Sequence, residues 1–228
     1  MWNRYQEDES SLGGSGASGT AVIYGGRTDT CRLYAEWLAE RREAELFALA
    51  DAKLSAIKNF RTIIYILPVY DGKLEGLDSM IRNYPKLMKV TRSYANDMFG
   101  AEGEKRIGLL AVGLSPEKDA FRSGALDLPT ALEEVPVYYA MGRYQPDEAD
   151  SRTLLRMDIL EKAIKKDPAA APGWFMNLCR AAGQTDDSQP ADQKVASGQG
   201  TGADAWKAGA DLTDPAYLDP ILDLIDGR

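Results

Sequence analysis

Apolar residues along this chain gather in short unbroken runs that alternate with stretches of three- and four-residue spacing. The first run, Thr20-Ala-Val-Ile-Tyr24, is rich in β-branched side chains and closes on Gly25-Gly26, which predicts a buried strand. Leu33, Tyr34, Trp37 and Leu38 then recur at helical steps between Arg32 and Arg42, with Thr28, Asp29 and Thr30 as candidate N-cap oxygens. Further strands are predicted at Glu45–Ala50, at Arg61–Leu67 stopping at Pro68, at Arg106–Gly113 and at Val135–Met141. Arg106–Gly113 is apolar on both faces, which suits the middle of a parallel sheet. A second helix is predicted through Leu74, Leu77, Met80 and Ile81, ending near Tyr84 because Pro85 follows. A third passes through Leu154, Met157, Leu160 and Ile164 and ends near Lys166. A last helix carries Tyr217, Leu218, Ile221, Leu222 and Ile225, with its start at Thr213 or Asp214 before Pro215 or at Asp219 before Pro220, the later start being preferred because Pro220 would disturb a helix already under way.

Two stretches fall outside this pattern. Residues 1–19 are polar and end in Ser, Gly and Ala, a composition that buries too little surface to offset the entropy of ordering, so they read as a disordered leader. Residues 167–210 read mainly as irregular chain, and the stretch Gln184–Gly202 marks a solvated insertion. The expected organisation is one domain over residues 20–228 with a flexible insertion at about 183–210.

Helices mixed with strands buried on both faces predict an open α/β sheet. In such sheets a ligand lies beyond the carboxyl ends of the strands, near the point where strand order reverses. The segments to question are therefore Gly25–Arg32, Leu67–Lys73 and Gly113–Asp119.

Composition narrows the chemistry. There is no histidine among the 228 residues, which excludes a Ser-His-Asp triad, an imidazole metal ligand and a histidine base. Cys31 and Cys179 are the only cysteines, too few for a cysteine-rich zinc site, and with no export signal they read as reduced thiols of a cytoplasmic protein. Reactivity is left to carboxylates, hydroxyls, a thiol or a cofactor. The net charge of −8 sits at the ends: residues 1–20 carry −2, residues 183–228 carry −6, and the 162 between them balance. No clustered basic patch argues for nucleic acid. The longest strongly apolar stretch, Thr62–Tyr70, is about half of what a spanning helix needs. Peripheral membrane contact is left open.

The loop Tyr24-Gly-Gly-Arg-Thr-Asp-Thr-Cys-Arg32 joins the first strand to the first helix. A helix N-terminus with free N–H groups, hydroxyls at Thr28 and Thr30 and cations at Arg27 and Arg32 suits a phosphate. Taken alone, the loop matches neither the Walker pattern nor GxGxxG and reads sooner as a capped strand-to-helix turn.

Four segments in order carry a resemblance: Ile23-Tyr-Gly-Gly-Arg-Thr-Asp-Thr-Cys-Arg-Leu-Tyr-Ala-Glu-Trp-Leu-Ala-Glu40, Pro68-Val-Tyr-Asp-Gly-Lys-Leu-Glu-Gly76, Ala111-Val-Gly-Leu-Ser-Pro116 and Asp211-Leu-Thr-Asp-Pro-Ala-Tyr-Leu-Asp-Pro-Ile-Leu222. Through them the chain resembles the flavodoxin-like superfamily, and within it the branch around menaquinone-dependent protoporphyrinogen oxidase. The resemblance implies an α/β three-layer sandwich with a five-stranded parallel sheet in order 2-1-3-4-5 and FMN at its carboxyl edge. It implies that Gly25, Gly26, Arg27, Thr28, Asp29, Thr30, Cys31 and Arg32 surround the flavin phosphate. Pro68, Val69, Tyr70, Asp71 and Gly72 then lie beside the flavin ring, with Tyr70 stacked on it, and Gly113, Leu114 and Ser115 border its far side. No catalytic side chain and no metal is implied, because the flavin carries the electrons. The implied activity is that of an FMN-dependent oxidoreductase or electron-transfer protein of the protoporphyrinogen oxidase type, with a quinone or another redox partner as acceptor.

The chain departs from the family at Asp29, where Gly is usual, and at Gly26 and Cys31, where Ser or Thr is usual. A carboxylate beside a phosphate dianion is repulsive. Two readings follow: Asp29 points outward or pairs with Arg27 or Arg32 and FMN binds, or Asp29 caps the helix and fills the anion site, leaving a flavin-free binding or regulatory module. Cys31 between two arginines is a candidate reactive thiol, though a small residue in a turn is the plainer reading. Cys179, Trp174 and Phe175 read as packing residues, and Tyr138, Tyr139 and Tyr144 as sheet and rim residues. The acidic C-terminal stretch lacks the spacing of a calcium loop.

Overall fold

A computed structural model describes residues 19–26, 29–70, 73–98, 105–115, 124, 126–149, 151–167, 169, 171–183 and 205–228. Its regular elements are β1 (Thr20–Tyr24), α1 (Thr30–Arg42), β2 (Glu45–Ala48), α2 (Leu54–Ile57), β3 (Thr62–Tyr70), β4 (Lys73–Leu74), α3 (Leu77–Met98), β5 (Arg106–Gly113), β6 (Val137–Met141), β7 (Arg143–Tyr144), α4 (Ser151–Lys166), α5 (Gly173–Gly183), β8 (Ala210–Asp211) and α6 (Asp219–Asp226). Strands pair in the order β2-β1-β3-β5-β6, all parallel, while β4 turns back antiparallel onto the end of β3. Setting the two-residue β4 aside, this is the flavodoxin-like order 2-1-3-4-5.

Alternation along the strands sorts their side chains into two apolar layers. On one face Val22, Ile64, Ile66, Leu110, Val112 and Ala140 meet Cys31, Tyr34, Ala35 and Leu38 of α1 and Leu218 and Ile221 at the start of α6. On the other, Ile23, Ile63, Tyr65, Leu67 and Leu109 meet Ile57 of α2 and Met80 and Leu87 of α3. The result is three layers, helix–sheet–helix. β3 and β5, flanked on both sides, are the most continuous apolar runs, as their sequences require. Arg42 grips Asp226 with two hydrogen bonds of 3.1 and 3.0 Å and so ties the end of α1 to α6.

Several elements differ from the sequence expectation. β3 does not stop at Pro68 but runs to Tyr70. β1 ends opposite Ile66, so the N–H that Pro68 lacks has no β1 residue to pair with, and its carbonyl accepts from Glu75 N–H at 2.9 Å instead. α3 does not end at Tyr84 but passes through Pro85 to Met98. Pro85 is exposed, so the hydrogen bond it removes lies on the solvent side of the helix, where water serves the freed carbonyl. The second strand ends at Ala48, not Ala50, and the fifth begins at Val137, after Pro136.

Within the stretch expected to be irregular, α5 forms and buries Phe175, Leu178, Cys179 and Ala182. With Met157 and Ile164 of α4, Tyr144 and Trp206, these side chains make a third cluster beside the sheet. Buried Glu161 fastens it, accepting from Lys165 Nζ at 2.6 Å and Trp206 Nε1 at 3.0 Å and pairing with Lys207 at 2.9 Å. These donors hold its carboxyl down at about 2. The leader and residues 184–204 lie outside the described residues.

Candidate functional site

The carboxyl edge of the sheet faces the N-terminus of α1. Asp29, in the N-cap position, has helical backbone angles (φ −71°, ψ −5°) and its side chain makes no capping hydrogen bond. The first bond of the helix ladder runs from Leu33 N–H to the Asp29 carbonyl at 2.8 Å, so the N–H groups of Thr30, Cys31 and Arg32 precede the ladder. Thr30, 3% exposed, has a buried Oγ1 with no hydrogen-bond partner among the described residues. A buried hydroxyl left so is costly, on the order of 1–3 kcal/mol, unless a ligand serves it. The helix dipole adds partial positive charge at the same spot.

Both flanks of this turn are built by close backbone approach. Gly25 N–H donates to the Ile66 carbonyl at 3.0 Å, which holds the loop on β3. Gly26 has φ +124°, and a Cβ there would stand 3.1 Å from Pro68 Cγ, so the loop lies against the proline ring. Beyond Pro68, Val69 and Tyr70 pair with Leu74 and Lys73, and Tyr70 is 36% exposed at the rim. On the opposite flank the Gly113 carbonyl accepts from Gly142 N–H at 2.7 Å. A Cβ on Gly142 would stand 3.6 Å from Thr30 Cγ2, so the ends of β5 and β6 meet the first turn of α1.

Not every residue expected at the site faces it. Arg32 is turned outward and pairs with Glu36 at 2.7 Å on the exposed side of α1. Cys31 is buried; burial, with Glu75 as a lesser cause, pushes its thiol up to about 12, so it stays neutral and is no candidate redox thiolate. Neither Cys31 nor Cys179 forms a disulfide. Leu114 packs into the third apolar cluster, and Ser115 is half-buried. Arg27, Thr28, Asp71 and Gly72 lie outside the described residues.

Asp29 does not occupy the turn. Its side chain is 74% exposed, and among the described residues the cation it approaches is not Arg32 but Arg143, whose Nη2 lies 4.0 Å from Asp29 Oδ2 and 3.6 Å from Glu148 Oε1. Arg143 is 20% exposed, and its Nε is buried without a partner among the described residues. Sequence reasoning missed this residue. The only signal was Gly142-Arg143 just after a strand end, echoing Gly26-Arg27 after the first strand.

On the same edge of the sheet, β4 borders a cleft of about 340 Å³ lined by Lys73, Leu74, Gly76, Leu77, Asp78 and Asp127. No group of residues able to hold a metal ion occurs among the described residues, and none of their helices is long and apolar enough to cross a membrane.

The strand order, the α1 turn and the loops that flank it define a flavodoxin-like α/β domain. Neither the protein-family models nor the curated proteins match the chain. Among solved structures it is similar to the Trp repressor binding protein from Bacillus subtilis, with 19% identity and a TM-score of 0.37 over 54% of this chain and 82% of that one. It is also similar to an NAD(P)H:quinone oxidoreductase from Methanothermobacter marburgensis (8% identity, 54% of this chain, 81% of that one, TM-score 0.35). A third is a flavoprotein in complex with FMN from Lactobacillus acidophilus (10% identity, 54% of this chain, 91% of that one, TM-score 0.32). The fold assignment stands on the strand order and register described above.

Proposed function

We propose that this chain is an FMN-binding oxidoreductase of the flavodoxin fold. The observation that carries the reading is the first turn of α1, whose N–H groups precede the helix ladder, with the buried Thr30 Oγ1, unpartnered among the described residues, at its start and the Asp29 carboxylate turned outward. These features fit a phosphate monoester: N–H groups ahead of the helix ladder and one hydroxyl donate to its oxygens. The exposed face of Tyr70 is suited to an aromatic ring, and the Gly26–Pro68 contact keeps the phosphate and ring ends of the site on one rigid edge. When bound, the flavin supplies the electron-transfer chemistry. The chain's own part is to bind and orient it, and the Cys31 thiol stays protonated and takes no electrons.

As substrate class we propose a reduced organic compound of the protoporphyrinogen type, with a quinone as acceptor, in the cytoplasm; this finer reading rests on the four-segment resemblance. The visible spectrum of the purified protein, taken before and after desalting with added FMN, tests the cofactor. Retained flavin bands with quenched fluorescence at micromolar FMN are expected. A protein that retains no flavin and does not quench it is a binding module, and the redox reading fails.

A further inference from the structure

Arg143 belongs to none of the three segments, Gly25–Arg32, Leu67–Lys73 and Gly113–Asp119, through which the sheet is expected to hold its ligand. It stands on β7, in the segment that leaves the sheet after β6, yet it reaches the N-terminus of α1. Three features set it apart from a surface ion pair. Its side chain is only 20% exposed, its Nε is buried without a partner among the described residues, and its carboxylate neighbours are distant, at 4.0 and 3.6 Å. A guanidinium in good bidentate contact with a carboxylate sits at about 2.7–2.9 Å. Arg143 is therefore held near Asp29 and Glu148 without being satisfied by either. The preceding residue, Gly142, lies where a Cβ would stand 3.6 Å from Thr30 Cγ2, and the Thr30 hydroxyl is buried without a partner among the described residues. The buried Thr30 hydroxyl at the start of α1 and a guanidinium that comes within 4.0 Å of Asp29, the N-cap residue, are thus supplied by segments distant in the chain.

We infer that Arg143 is a phosphate-binding residue of this site and sets its preference for phosphorylated over unphosphorylated flavins, with Asp29 holding the guanidinium at the rim until the anion arrives. The assignment rests on the flavin reading above and deepens it. A guanidinium whose carboxylate neighbours stand off at 3.6 and 4.0 Å has donors left for the oxygens of a phosphate monoester, and a dianion outcompetes such distant carboxylates for it. Asp29, unfavourable beside a phosphate on its own, becomes the counter-charge of the arginine.

Calorimetric titration of wild type, Arg143→Gln, Arg143→Lys and Glu148→Gln with FMN, riboflavin and inorganic phosphate tests the assignment. Wild type is expected to prefer FMN to riboflavin by at least tenfold. Arg143→Gln is expected to lose about tenfold in FMN affinity with riboflavin affinity unchanged within twofold; Arg143→Lys recovers part of the loss, and Glu148→Gln leaves FMN binding intact or tighter. If Arg143→Gln weakens both flavins equally, or leaves their ratio as in wild type, the assignment is overturned while the flavin reading stands. If wild type binds neither flavin nor inorganic phosphate, both fall. Circular dichroism of each variant separates loss of binding from loss of fold, and Arg143→Lys keeps the test open should the glutamine variant not fold.

Discussion

The parallel sheet and the layer that leaves it after β6 bury apolar side chains by different means. In the sheet, β3 and β5 carry unbroken apolar runs covered on both faces, and the core is joined by backbone ladders through every neighbour. In the appended layer the pairing is reduced to two residues of β7 against two of β8, and Tyr144, Phe175, Leu178 and Trp206 pack around a single buried carboxylate, Glu161. Ladder and apolar burial carry the first region, with charges such as the Arg42–Asp226 pair at its edges and not at its centre. The second hangs on a charge with three donors, so it is the part that conditions can loosen. The functional edge draws on both: Thr30 from the first and Arg143 from the second.

The comparison is broken most strongly by deleting core volume on each side of it. Ile64→Ala, fully buried between α1 and the sheet, is expected to cost about 2–5 kcal/mol and to lower the whole unfolding transition in urea. Phe175→Ala, equally buried, is expected to release amide protons of α4 and α5 to exchange while β3 and β5 remain protected. Simultaneous loss of protection in both would make the two regions one cooperative unit. Next in size, Gly26→Ala forces a side chain to φ +124° against Pro68 and is expected to cost about 1–3 kcal/mol and to abolish flavin retention.

Glu161 sharpens the contrast through pH. Its carboxyl falls to about 2 in the folded chain from an ordinary 4.5, so its contribution is complete above the ordinary value and is lost as pH falls through about 2. Acid is therefore expected to loosen α4 and α5 before the sheet, and Glu161→Gln to flatten that dependence at a cost of about 1–3 kcal/mol near neutral pH. Hydrogen exchange followed from pH 5 to 2 reads it. The smallest effect is chemical: with Cys31 raised to about 12 and Cys179 buried, neither thiol is expected to react with iodoacetamide at pH 8 until the chain unfolds.

How much of this was legible in the chain follows the same division. Runs such as Thr62–Leu67 and Arg106–Gly113 announce themselves because a strand buried on both faces has no polar positions to confuse its pattern, and strand order followed from the resemblance they carry. Prolines mislead: Pro68 and Pro85 read as terminators, yet Pro68 lies past the end of β1, where its missing N–H has no strand partner, and Pro85 lies on the exposed side of α3, where the carbonyl it frees faces solvent. α5 was missed because its apolar positions, Phe175, Leu178 and Ala182, are set among Gly, Asn and Arg in a stretch whose composition reads as loop. At the site, the loop carrying Thr30 and Gly26 was visible as a motif. Arg143 was not, since a cation is assigned to a site by what it meets in space, and no local spacing links position 143 to position 29.

One hydroxyl fixes where the appended layer departs and returns. Tyr34 OH donates to the Met141 carbonyl at 2.7 Å and accepts from Asp214 N–H at 3.2 Å, and Leu212 N–H meets the Gly142 carbonyl close by. The excursion from 143 to 211 thus begins and ends at neighbouring points on the sheet, so its length imposes no strain on the strands and adds only a slowly growing closure entropy. Such a gate makes the segment exchangeable: a short turn joining Gly142 to Leu212 would spare the sheet and remove Arg143 with everything that follows from it. What is replaceable in the scaffold would then be what selects the ligand.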